Sequence, residues 1–226
     1  MTTAAPRPAV DRRDTLHRRI RWIVAATIAY NLIEAIVAIT AGTIASSSAL
    51  IGFGLDSTIE VLSAAAVAWQ FTRRDPERWE KGTLRVIAVA FFALAAYVTA
   101  TSVIALVGRA DVQHSTIGMV LTALSVVIMP FLSLTERRAG RELGSATAVA
   151  DSRQTLLCTY LSAAVLIGLV LNSMLGWWWA DAVAGLVIAA FAIREGIEAW
   201  RGDACATSAG MLLEQEHNDH GDEHRD

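Results

Sequence analysis

The 226-residue chain is 54% hydrophobic and only 18% charged, with a mean hydropathy of +0.43. Soluble domains of this length are rarely so apolar, and here the apolar residues come in long unbroken blocks, so a membrane protein is the class that composition leaves. The formal net charge of −3 gives no reason to expect a nucleic-acid partner, and two cysteines, Cys158 and Cys205, make no disulfide framework.

Residues 1–21 carry six arginines and two prolines and read as a flexible cytoplasmic N-terminal tail. This Arg-rich start runs straight into a full-length apolar segment, the pattern of a span rather than of a cleaved signal peptide. The first predicted span is Trp22 to Ile44, in which Tyr30, Asn31 and Glu34 recur on roughly one helical face. A short Ala45-Ser46-Ser47 link leads to the second span, Ser47 to Phe71. The charged stretch 73–85 reads as a loop whose Pro76 blocks helix continuation. The third span, Val86 to Val107, has Tyr97, Thr99, Thr101 and Ser102 but no charge. A turn from Gly108 to Ser115 contains His114, a lone loop histidine expected to be solvated. The fourth span, Thr116 to Leu134, contains Pro130 near one end, and a loop with Arg137, Arg138 and Arg141 follows. The fifth, Ala146 to Leu171, opens with the partly polar ADSRQTLLCTYLS. Asn172 to Gly176 reads as a turn, and Trp177, Trp178 and Trp179 as an interfacial aromatic belt. The sixth, Ala180 to Ile193, continues helically as REGIEAW. No alternating β-branched pattern suggests a barrel, and no internal duplication is visible.

The expected fold is therefore all-α: an integral membrane bundle of six transmembrane helices over residues 22–200, followed by a short His/acid-rich cytoplasmic tail, 201–226. Of the 19 Lys and Arg, only Arg109 falls in the 1–2, 3–4 and 5–6 connections. Positive charge collects on the cytoplasmic side, so both termini of this multi-pass protein are expected in the cytoplasm, with the cell membrane as its location.

The second span is the informative one. It is apolar and long enough for roughly 30 Å of hydrocarbon, yet carries Asp56 and Glu60 near its middle with no internal Lys or Arg. Residues four apart share a helical face. Two carboxyls at mid-membrane depth cost several kcal/mol unless something polar or positive meets them. One reading is a pair of interhelical hydrogen-bonding groups; the other is a cation site. Glu34 is a third intramembrane carboxyl, expected to face the bundle interior.

SSALIGFGLDSTIEVLS resembles the second-helix signature of the cation diffusion facilitator (cation efflux) family, proton-coupled exporters of divalent metals. In that family this helix supplies two ligands four residues apart, the positions of Asp56 and Glu60. ADSRQTLLCTYLS resembles the fifth-helix signature, whose His and Asp fall on Gln154 and Cys158, so both family ligands are replaced. WADAVAGLVIAA resembles the start of the sixth helix. The resemblance implies a cation substrate held mid-membrane by Asp56 and Glu60, with Cys158, Gln154 and Glu34 as further candidate metal residues. It implies no prosthetic group and no enzyme activity. Zinc comes first as substrate, with Cd, Co, Mn and Fe as alternatives, because thiolate favours soft ions and carboxylate hard ones. Cys158 has a second reading as a small buried hydrophobe. Gln154 has one as an interhelical hydrogen-bonding group, amide oxygen being a poor zinc ligand.

Family members often end in a cytoplasmic metal-binding domain, whereas 201–226 is too short to bury a core, so a homodimer would form through the membrane spans. His217, His220 and His224 in that tail are either weak metal groups or simply solvated. The alternative function is a metal-sensing or accessory membrane protein that retained the fold without transporting.

Overall fold

The computed structural model describes residues 9–71, 76–108, 112–143 and 146–201, and within the last of these the side chains from Thr155 onward. These residues form six helices: α1 (Ala9–Ala45), α2 (Ser48–Phe71), α3 (Pro76–Gly108), α4 (Thr116–Leu143), α5 (Ala146–Leu175) and α6 (Trp178–Arg201). Several helices outrun the expected spans. α1 begins at Ala9, within the stretch expected to be a flexible tail, and α4 continues through Arg137, Arg138 and Arg141. Pro76 opens α3 rather than breaking a helix. At the first helical position its missing N–H has no partner to lose and its fixed φ suits the helix, so the stretch read as a loop is largely helical.

Four helices contain segments long and apolar enough to cross a membrane: Ala25–Ala45, Leu84–Gly108, Thr116–Thr135 and Thr155–Leu175. The other two, α2 and α6, have 24 residues each, a length of about 36 Å as helix. Each carries a buried acid: Asp56 on α2 and Asp181 on α6 are 8% and 0% exposed. The outer surface is apolar instead, with Ile36, Val86, Ile104, Val127 and Phe131 all exposed. That inversion suits lipid as the surrounding solvent.

α1, α4, α5, α6, α3 and α2 contact one another in that cyclic order, and α2 also reaches α5 and α6 across the bundle. Such closeness rests on small residues, which let helix backbones approach where no hydrophobic effect drives them together. A Cβ added to Gly54 would stand 2.9 Å from the backbone nitrogen of Ile39 on α1, and one added to Gly42 would stand 2.8 Å from that of Ile51 on α2. At Gly168 on α5 it would meet the Cβ of Ala184 on α6 at 2.9 Å. The core between them is built from Ala38, Ala41, Ala49, Leu50, Phe53, Val165 and Ile188.

Three connections meet at one end of the bundle. The backbone N–H of Gln113, between α3 and α4, donates to Ala45 O at the end of α1 (2.9 Å). The Asn172 side chain near the end of α5 donates to Val112 O (2.8 Å). Odd-numbered helices thus end, and even-numbered ones begin, on the same side. Trp177 and Trp179 stack there with ring centroids 5.1 Å apart, both partly exposed, as an interfacial pair would be. At the opposite end the Arg85 guanidinium lies over the Trp200 ring, 5.8 Å from its centroid.

Gly54→Val should lower the melting temperature of the detergent-solubilised protein by several degrees, because overpacking against backbone costs about 1–3 kcal/mol. Gly82→Ala, where an added Cβ meets nothing within 4 Å, should leave it unchanged. Equal melting of both variants would refute the close α1–α2 contact.

Candidate metal centre

Asp56 and Glu60 stand one turn apart on α2, facing α5 and α6. With Cys158 and Glu195 they line a narrow cleft whose remaining walls are Phe91, Leu157, Leu161 and Phe191. Phe91 comes from α3, the leucines from α5 and Phe191 from α6, so the polar groups sit in an apolar, low-dielectric surround. Glu60 is gripped from two sides. The Cys158 thiol donates to its Oε1 (2.7 Å) from α5, and the Asn31 amide nitrogen donates to its Oε2 (2.6 Å) from α1. Cys158 is 6% exposed and Asn31 is 5% exposed.

The structure therefore brings three of the sequence-predicted residues, Asp56, Glu60 and Cys158, to one cleft. As they stand, no three His, Cys, Asp or Glu side chains among the described residues converge closely enough to hold a metal ion. Glu60 spends its oxygens on hydrogen bonds with Asn31 and Cys158 instead. Gln154 lies one turn before Cys158 on α5, and its side chain and that of Asp151 fall outside the described residues. His217, His220 and His224 also lie outside them. His114 is exposed in the α3–α4 connection, as expected of a solvated histidine.

Glu34 occupies a separate polar node. It is 1% exposed and accepts hydrogen bonds from Ser57 of α2 (2.8 Å) and from Ser125 of α4. The Tyr30 hydroxyl in turn pairs with Ser125 Oγ at 2.7 Å. Each serine has a second acceptor one turn back on its own helix, Phe53 O at 3.2 Å for Ser57 and Leu121 O at 3.0 Å for Ser125. A hydroxyl has one proton to give, so each serine chooses between the carboxyl and its own backbone.

Two groups of consequence were not singled out from the sequence as site residues. Glu195 reads as part of a polar helix end, yet its Oε1 is buried without a hydrogen-bond partner among the described residues, in the cleft that also holds Asp56. Asp181, adjoining the tryptophans, is fully buried and holds the start of α2. It accepts from Ser47 Oγ (2.5 Å), Ser48 Oγ (3.3 Å) and the Ala49 N–H (3.4 Å). Ser47 itself caps α2 by accepting from the Leu50 N–H at 3.0 Å. A carboxylate also suits the positive end of the α2 dipole. The signal in the sequence was an acid just inside a predicted span, next to an aromatic belt.

An apolar-faced helical bundle with carboxyl and thiol groups meeting in its interior is the pattern of a polytopic membrane protein. A model of the cation efflux transmembrane domain matches residues 24–201. The chain belongs to the cation efflux family, whose members are transporters and not enzymes. It is similar to the cation-efflux pump FieF of Shewanella oneidensis, with 36% identity over 86 residues, or 38% of this chain and 29% of that protein.

Asp181→Ala should cost about 1–3 kcal/mol for each buried donor left unpaired, seen as a clear fall in melting temperature in detergent. Glu34→Leu should cost less, because Ser57 and Ser125 keep their backbone acceptors. A larger loss for Glu34→Leu than for Asp181→Ala would contradict this ranking.

Proposed function

We propose that the protein moves divalent metal cations out of the cytoplasm across the cell membrane in exchange for protons, through six transmembrane helices with both termini cytoplasmic. The observation that carries this reading is the meeting of Glu60 with the Cys158 thiol beside Asp56, in an apolar cleft of a cation efflux domain. Buried carboxyl groups of this kind are expensive in hydrocarbon and mark ion or proton paths. In this reading Asp56, Glu60 and Cys158 hold the cation, Gln154 stands beside them on α5, and Glu34 lines the path from its serine-bound node.

The chemistry of exchange follows from the groups. A metal ligand must be deprotonated, so cation entry releases the thiol proton to water. With one further proton carried by the Asp56–Glu60 pair in the cation-free site, a divalent ion and two protons trade places and the net charge of the site stays constant. Rocking of the bundle then turns the cleft to the far side, where protons return to thiol and carboxyl and the cation leaves. The mixed sulfur and oxygen set suits zinc first, then Cd, Co, Mn or Fe(II). A non-transporting sensor or accessory protein is the second reading, favoured by the replacement of both fifth-helix family ligands by Gln154 and Cys158.

Proteoliposomes containing the protein and a metal-sensitive dye should accumulate zinc when the lumen starts acidic, and the lumen should alkalinise in step with the flux as protons leave in exchange; zinc entry without that alkalinisation would refute the exchange. Asp56→Asn should abolish that flux in folded protein, and Cys158→Ser should reduce it for Zn and Cd more than for Mn. Binding of zinc by the folded wild type without flux of any ion would favour the sensor reading. Weakly buffered titration should release about two protons per divalent ion bound.

A further inference from the structure

Asn31 is contributed by α1, while the resemblance draws its ligands from the second and fifth helices. Its amide nitrogen is 2.6 Å from Glu60 Oε2, yet its own oxygen, Oδ1, is buried with no hydrogen-bond partner among the described residues. An unpaired buried acceptor costs about 1–3 kcal/mol. Nothing in the packing requires this particular orientation, because the two ends of a primary amide have nearly the same shape. A half-turn of the amide plane exchanges them: Oδ1 then lies against Glu60 Oε2, and the nitrogen takes the place of the orphaned oxygen.

Without a cation, that second orientation sets two oxygens against each other and is repulsive. With a cation between them it becomes the better one, since both oxygens then face positive charge. The orientation of Asn31, which reaches the cleft only through Glu60, is therefore tied to whether Glu60 holds a cation. We propose that Asn31 is a direct ligand of the bound cation, its side-chain amide turning over from hydrogen-bond donor to Glu60 into oxygen ligand as the cation enters. The completed set is one sulfur, from Cys158, and oxygens from Asp56, Glu60 and Asn31. This rests on the reading of the cleft as a cation site and extends it by a ligand from α1.

The set also explains how a chain without an intramembrane histidine can reach four ligands. A neutral amide oxygen adds no charge, so the two-proton exchange above is unaltered. It is a hard donor, which shifts the preference of the site away from Cu(I)-like soft ions and toward first-row divalent ions. Because α1 packs on α2, ligation by Asn31 ties both helices to the same ion.

The test is cobalt(II) titration of the full chain in detergent, followed by the thiolate-to-cobalt charge-transfer band and the ligand-field bands, on wild type, Asn31→Ala, Asn31→Asp and Glu60→Gln. Asn31→Ala should weaken binding at least tenfold and move the ligand-field bands while keeping the charge-transfer band. Asn31→Asp is the deciding variant. An aspartate keeps the ligand oxygen, so it should bind cobalt at least as tightly as wild type and release additional proton. A residue that only donates a hydrogen bond to Glu60 would instead lose affinity as Asp as well as Ala, and that result, in protein with wild-type melting, would overturn the proposal. Unmoved ligand-field bands in Asn31→Ala would overturn it too. Loss of binding in Glu60→Gln keeps the cation site itself secure under either result. Wild-type binding by Glu60→Gln, or no binding by wild type, would remove the cation site and this ligand with it.

Discussion

Inside lipid there is no water to satisfy a buried polar group, so such a group is costly unless the protein itself supplies its partner. Most of the order in this bundle follows from that constraint. Glu34 on α1 is met by serines of α2 and α4, Glu60 on α2 by α1 and α5, and Asp181 on α6 by the start of α2. Each acid ties its own helix to at least one other, and α2 takes part in all three nodes. Packing supplies the attraction between helices; these acids supply the register. An apolar bundle with the same small residues would have many ways to slide, and a carboxyl that must meet a particular hydroxyl has few.

Glycine and alanine make those meetings possible. The backbone approaches at Gly42, Gly54 and Gly168 bring α1, α2, α5 and α6 close enough for short side chains such as serine, asparagine and cysteine to reach across. Longer side chains at the same positions would hold the helices apart and strand the acids. The same closeness leaves little volume in the interior, and the cleft beside Asp56 is where the bundle keeps some.

The number and order of the helices were legible in the sequence because apolar blocks are long and positive charge is segregated to one side. The helix ends were not. Polar residues at 9–21, 76–85 and 135–143 look like loops by composition, but outside the apolar layer helices are free to continue with charged faces, and a proline such as Pro76 marks a start as readily as a stop. Asp56 and Glu60 were legible as a pair because charge within an apolar run is conspicuous. Their partners were harder to see. Cys158 was found only through resemblance. Asn31 read as one polar residue among several, since the sequence does not say which face of α1 meets α2. Asp181 and Glu195 lie near the ends of α6, where an acid raises no alarm.

The nodes differ in how they behave when pulled apart. If Glu34 is removed, Ser57 and Ser125 each turn to a carbonyl of their own helix and neither hydroxyl is left unpaired. If Asp181 withdraws, the Ala49 N–H belongs to the first turn of α2 and has no carbonyl of its own helix to turn to. The serines at the Glu34 node thus have an alternative to its carboxyl, whereas the first turn of α2 has none to Asp181. The helices joined by Asp181 also share the cleft, to which α2 brings Asp56 and Glu60 and α6 brings Glu195, so the Asp181 pin at one end of the pair fixes the register of the acids further along it.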